Sequence, residues 1–399
     1  MAQATTALSE APSASSGSQA GSSSRLMQLC VGYFISYVLT GVLVKYFTGG
    51  IRQPKMSELA YLFNNTLSSM LLCVVAVLAM GWVARLAKTS NRLVPFGPFK
   101  IPAEAAYIIP SGICTAVVIP TTTLMYSLPI SVMVAMVIMR GSVIVISRAV
   151  DEIQIRQGIL HRRVYHEENI AVVFALLAVA TNVLLLPFEE WLYAHGVALP
   201  AWTGFKAGAA KGSFEFLHDQ TAMTILGSYI VAYMARIYIM NYYKNTRGKG
   251  VTLDNRGFFA VEQLSATVTM LIVGTLVVMG PTWFGWSDHR VVEFSQAAHH
   301  PDTAALIAGA PYALVAFFSV FIFMFQGRTA TFAGLVNRLT SLLAGTTATI
   351  VLWALFKQKF PTVQDWVSAG FILVAVWFLT RAEKRRGVEM AALKTARAA

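Results

Sequence analysis

Cysteine, acidic residues and charge in general are all scarce in this chain. There are 3 cysteines in 399 residues: Cys30, Cys73 and Cys114. They lie in apolar stretches without metal-ligand spacing, which argues against a disulfide framework and a zinc site and leaves buried thiols as the reading. Charged residues make up 13% of the chain against 56% hydrophobic. That balance excludes an ordinary soluble domain. The 19 acidic residues offer no paired carboxylates or His/Asp arrangement at catalytic spacing. The sequence therefore reads as a non-enzyme with no cofactor. His289, Glu293, His299, His300 and Asp302 have metal-compatible side chains, but their spacing is irregular.

What the chain has instead is long apolar runs. A helix of about 20 apolar residues crosses a bilayer, and ten such spans are expected. They run from Leu26 to Phe47, Ser57 to Ala84, Ile101 to Leu124, Ile130 to Ala149, Asn169 to Leu186, Thr221 to Tyr243, Phe258 to Met279, Thr303 to Phe325, Thr329 to Phe356 and Val363 to Thr380. Residues 1–24 are rich in Ser, Ala and Gly and read as a disordered tail. Residues 25–186 form a first set of five spans, and 221–382 a second. Between them, 187–220 carries Trp191, Tyr193 and Trp202 and reads as an interfacial connection. A basic cytoplasmic tail, 383–399, closes the chain. Asn64-Asn65-Thr66 fits a glycosylation sequon but falls inside an expected span.

The formal net charge of +12 points to topology rather than nucleic acid. Lys and Arg concentrate in the segments that lie inside if both termini are cytoplasmic, among them Arg85, Lys88, Arg162, Arg163, Lys244 and Lys384-Arg385-Arg386. No organelle signal marks which membrane holds the protein.

Three arginines interrupt the apolar runs. Arg140 sits within VMVAMVIMRGSVIVI, Arg236 within YIVAYMARIYIMNYY, and Arg338 beside Asn337 in the ninth span. An intramembrane arginine costs roughly 2.5–3.5 kcal/mol or more to insert, so it faces protein or a watery cavity. The neighbours of Arg140 at helical spacing are mostly apolar, so its partner comes from another helix: a solute, or an acid such as Glu262. Arg338 shares a face with Gly334, Ser341 and Gly345, which leave room for a close helix or a ligand. Arg236 lies on a face with Tyr229, Tyr233 and Tyr243, suited to stacking or to cation–π contact. Glu262 is the one acid well placed within a span, as counter-ion or coupling group. Lys45, Asn64, Asn65, Tyr107 and Tyr126 complete the candidate binding residues, with Ser111 and Thr115 as further neutral polar groups.

Arg140 and Arg338 are about 198 residues apart (338 − 140). Nearly the same offset aligns Lys45 with Lys244, Asn64-Asn65 with Glu262-Gln263, Glu167 with Asp365, and Leu177-Ala178-Val179 with Val374-Ala375-Val376. The expected architecture is an all-α integral membrane protein with two five-helix repeats. An odd number of spans per repeat inverts the second in the membrane, an arrangement associated with transporters whose site lies near the midplane.

Three stretches, YVLTGVLVKYF (37–47), SLPISVMVAMVIMRGSVIVISRAV (127–150) and GTTATIVLWALFKQKFPTVQDWVSAGFILVAVWFL (345–379), resemble the first, fourth, ninth and tenth spans of the drug/metabolite transporter superfamily. The resemblance is nearest the branch of nucleotide-sugar and triose-phosphate transporters. It implies a ten-helix secondary transporter working by alternating access, with Arg140 and Arg338 at the positions where basic residues bind an anionic, phosphorylated or nucleotide-sugar-like solute. Guanidinium chemistry agrees, since its fork binds carboxylate or phosphate at two points. The expected partners are a small anionic solute and membrane lipids, with no nucleic acid, for a monomer or homodimer. Alternative readings are an exporter of neutral or cationic metabolites, drugs or amino acids, or a lipid-phosphate flippase, with the arginines in structural ion pairs.

Overall fold

The computed structural model describes residues 23–90, 92–96, 99–127, 132–160, 164–197, 220–247, 253–358 and 363–398. Nearly all of them are helical. In order the elements are α1 (Ser23–Thr48), α2 (Glu58–Ala79), α3 (Trp82–Thr89), β1 (Leu93–Phe96), β2 (Phe99–Pro102), α4 (Ala105–Ser127), α5 (Val132–Arg156), α6 (His166–Ala194), α7 (Gln220–Thr246), α8 (Asn255–Phe284), α9 (His289–His299), α10 (Thr303–Ile307), α11 (Ala310–Phe323), α12 (Ala330–Phe356) and α13 (Val363–Ala398). Among the described residues, 8 helical stretches are long and apolar enough to cross a membrane; they lie on α1, α2, α4, α7, α8, α10–α11, α12 and α13. The chain is thus a multi-pass, essentially all-α integral membrane protein. Helices α5 and α6, at the expected fourth and fifth spans, are 25 and 29 residues long but are not among those stretches.

Helix starts follow the sequence. Ser57, Asp254, Asp302 and Thr329 each accept a hydrogen bond from an amide in the first turn that follows, the usual N-capping arrangement. Departures from expectation also have local causes. The third span was expected from Ile101, but Leu93–Phe96 and Phe99–Pro102 pair as an antiparallel hairpin, with Phe96 opposite Phe99. Pro98 and Pro102 disfavour helix at the residues before them, so α4 starts only at Ala105. The eighth span is interrupted: α10 ends at Ile307, and α11 begins at Ala310 with a proline in its first turn. Helix α6 runs to Ala194, so Trp191 and Tyr193 are exposed on its last turns rather than on a separate connection. Trp202, the 1–22 part of the N-terminal tail and the rest of the connection up to 219 lie outside the described residues. The basic tail continues α13 as helix.

Helix α1 packs against α11 and α12, and α7 against α4 and α5. Helix α6 pairs with α13, α5 with α12, and α2 with α8. Small residues allow two of the close crossings. A Cβ on Gly334 of α12 would come within 2.9 Å of the Ser147 Cβ on α5. One on Gly112 of α4 would come within 2.6 Å of the Glu262 carbonyl on α8. Apolar side chains such as Val75, Val231, Ile272 and Leu373 point outward, as a lipid-facing surface requires. At the N-terminal end of α12, the buried Asp151 carboxylate of α5 accepts from the amides of Ala330 (2.8 Å) and Thr331 (2.6 Å). Buried Glu168 of α6 accepts from the Thr329 hydroxyl (3.2 Å) and pairs with Arg386 of α13. The helix that carries Arg338 is therefore anchored by two acids from neighbouring helices.

Candidate functional site

All three intramembrane arginines line one cavity of about 140 Å³. Its wall draws on α1, α2, α4, α5, α7, α8, α11 and α12. Arg338 stands roughly 12 Å along α12 from its first residue, at 1.5 Å rise per residue. That places it in the first half of a helix long and apolar enough to cross a bilayer. On the measure that allots a water about 10–15 Å³, the cavity holds on the order of ten waters, the space of a small solute.

The three guanidiniums differ in how they are held. Arg236 is paired with Glu262 at two points: Nε donates to Oε1 at 2.9 Å, and Nη2 to Oε2 at 3.3 Å. Glu262 is fully buried and also accepts from the Ser111 hydroxyl at 2.7 Å, with the Thr115 hydroxyl oxygen 3.3 Å away. It serves here as the counter-ion of Arg236. Arg140, the other arginine for which Glu262 is a candidate partner, has no such pairing among the described residues. Arg140 Nη2 reaches the Tyr37 hydroxyl only at 3.5 Å, and its guanidinium stands 5.7 Å from the Tyr37 ring centroid. Its Nη1 lies beside Gly345, where a Cβ would stand 3.9 Å away.

Arg338 is the least satisfied. It is buried, and its Nε and Nη2 have no hydrogen-bond partner among the described residues. Its guanidinium stands 4.9 Å from the Tyr233 ring centroid, and that of Arg236 lies 6.0 Å from the same ring. Beside it, Asn337 accepts from the Tyr33 hydroxyl (3.4 Å) and donates to Ser319 (3.1 Å). Among the described residues neither Arg140 nor Arg338 has an acidic partner, and residues 123–138, whose side chains are outside the description, contain no Asp or Glu.

Of the expected binding residues, Arg140, Arg236, Arg338, Tyr233 and Asn337 line the cavity. Lys45 is exposed in the last turn of α1. Asn64 accepts from the Asp302 amide at 3.0 Å, tying α2 to the start of α10. Asn65 is buried on α2, its Oδ1 has no partner among the described residues, and it is not part of the cavity wall. Tyr107 sets its ring against Tyr242, 5.4 Å between centroids. The Tyr126 side chain lies outside the described residues. His289 and Glu293 fall on α9, while Asp302 is taken up by Arg52. Sequence reasoning missed Tyr33, Tyr37 and Tyr312, which join Tyr229 and Tyr233 in the wall. Tyr33 and Tyr37 do carry a signal, since they are four apart and share one face of α1.

Fold and site together define a multi-pass membrane protein with a central, cationic, tyrosine-rich cavity. No protein-family model matches the chain, and no curated protein does.

Proposed function

We propose that the chain is a ten-span secondary transporter for a small organic anion, working by alternating access, with α5 and α6 as its fourth and fifth spans. The observation that carries the reading is Arg338, whose Nε and Nη2 are buried and unpaired in the cavity wall. These two N–H groups form the edge of the guanidinium that binds carboxylate or phosphate at two points. Leaving them bare costs stability, and an anionic solute relieves that cost. Arg140 adds a second charge with no carboxylate partner among the described residues, so the cavity is complementary to negative charge.

Helix packing supports the repeat. If α1, α2, α4, α5 and α6 correspond to α7, α8, α11, α12 and α13, then α1 against α11 and α12 mirrors α7 against α4 and α5. The pairs α2–α8, α5–α12 and α6–α13 are each their own mirror. This is the adjacency expected of two inverted repeats, with the site at their interface. It accords with the drug/metabolite transporter resemblance.

A thermal-shift panel on detergent-purified protein tests the proposal. A ligand that binds only the folded state raises the unfolding midpoint. Small carboxylates and phosphates are expected to raise it, while neutral amino acids and hydrophobic cations leave it unchanged. Stabilisation by cations alone would favour an exporter of cationic metabolites, a reading that the Arg236–Glu262 pair fits at one arginine only.

A further inference from the structure

The cavity wall is uneven in a way that narrows the solute, an inference that rests on the anion-site reading above. Six of its neutral side chains direct a donor at the protein itself. Thr115 donates to the Ser111 carbonyl (3.0 Å), Thr122 to the Val118 carbonyl (2.6 Å) and Ser69 to the Thr66 carbonyl (3.0 Å). The Tyr33 hydroxyl donates to Asn337 (3.4 Å), and the Asn337 amide to Ser319 (3.1 Å). The Tyr229 hydroxyl reaches the Met139 carbonyl at 3.5 Å. Among the described residues, Nε and Nη2 of Arg338 are buried donors without a partner, and Tyr37, Tyr233, Tyr312, Gln263 and Ser319 add further polar groups to the wall. Apolar side chains complete it, among them Met70, Val118, Ile119, Met139, Val315 and Ala316.

The wall sets guanidiniums beside five tyrosine rings and the six apolar side chains just named. We infer that the solute is a small oxyanion with a compact aromatic or apolar body, its carboxylate or phosphate head on Arg338 and Arg140 and its body among the tyrosines. A sugar phosphate would set part of its hydroxyl surface against apolar carbon. A planar ring instead gains contact with aromatic faces at no cost in unmet hydrogen bonds.

Four probes in a two-by-two design test this: phenyl phosphate, glucose 6-phosphate, phenylacetate and gluconate. Each is titrated into the purified full chain with intrinsic fluorescence or calorimetry as readout. Within each head group the aryl compound is expected to bind at least about tenfold tighter than its hydroxylated counterpart, and Arg338→Gln to abolish both interactions. Arg140→Gln serves the same purpose if the Arg338 variant is not recovered folded. Equal or tighter binding of the hydroxylated probes, still lost in the arginine variants, would overturn the apolar-body assignment and leave the anion site standing. Binding that survives both arginine substitutions, or no binding by any of the four, would overturn the anion site and this inference with it.

Discussion

Arg236 and Glu262 lie in a buried two-point pair at 2.9 and 3.3 Å, and Arg338 in the same cavity wall has nothing comparable. The pair is a structural lock that also aims Arg236. Removing one partner leaves a buried charge uncompensated, which costs about 3–5 kcal/mol. Glu262→Gln is therefore expected to lower the unfolding midpoint sharply. Arg236→Met/Glu262→Met together should recover most of the loss, because no lone charge remains. Chemical denaturation of the single and double variants measures the coupling.

Asp151 predicts a local effect at the opposite end of α12 from its C-cap. Its carboxylate satisfies the amides of Ala330 and Thr331, which the helix itself leaves free. Asp151→Ala is expected to cost about 1–3 kcal/mol. The signature that separates this from general destabilisation is hydrogen exchange: the amides at 330 and 331 should lose protection first, ahead of the middle of α12.

The α5–α12 crossing depends on Gly334, because an added Cβ would come within 2.9 Å of Ser147 Cβ. Overpacking a tight helix contact typically costs about 1–3 kcal/mol. Gly334→Ala should destabilise the protein, and Ser147→Gly in the same chain should return part of the loss. Since Arg140 and Arg338 stand on these two helices, the single variant should also weaken anion binding.

Asp302 and Arg52 set an acid-sensitive tie outside the membrane-spanning helices. The hydrogen bond from Arg52, 2.8 Å long, holds the Asp302 carboxyl below the ordinary aspartate value, with help from the amides it caps. A depressed folded-state value means that the tie contributes fully above the unfolded aspartate value, about pH 4. The contribution is lost as pH falls through the lower, folded value. Asp302→Asn should therefore lower stability at neutral pH and narrow its gap from wild type below about pH 4. Unfolding midpoints across that range give the comparison.

Much of this was legible in the sequence, and the gaps have physical causes. A lone arginine in an apolar run is conspicuous because lipid penalises it, so Arg140, Arg236 and Arg338 stood out. Periodicity within a helix does not say which neighbour it meets, so the partner of Glu262 stayed open until α7 and α8 were seen together. Tyr33, Tyr37 and Tyr312 were hidden because tyrosine in an apolar helix also suits a lipid interface or a plain core. The break between α10 and α11 fell in a continuous apolar stretch, and the β1–β2 hairpin in a proline-rich segment too short to show alternation.

If Arg338 is kept unpaired for a solute rather than for the fold, the stability of Arg338→Met without any ligand will show it. An unpaired buried guanidinium destabilises the empty protein. Arg338→Met is expected to unfold at the same temperature as wild type or higher, with anions no longer stabilising it. Destabilisation of the Arg338 variant comparable to that of Arg236→Met, with stabilisation by anions retained, would contradict the claim and make Arg338 a structural residue.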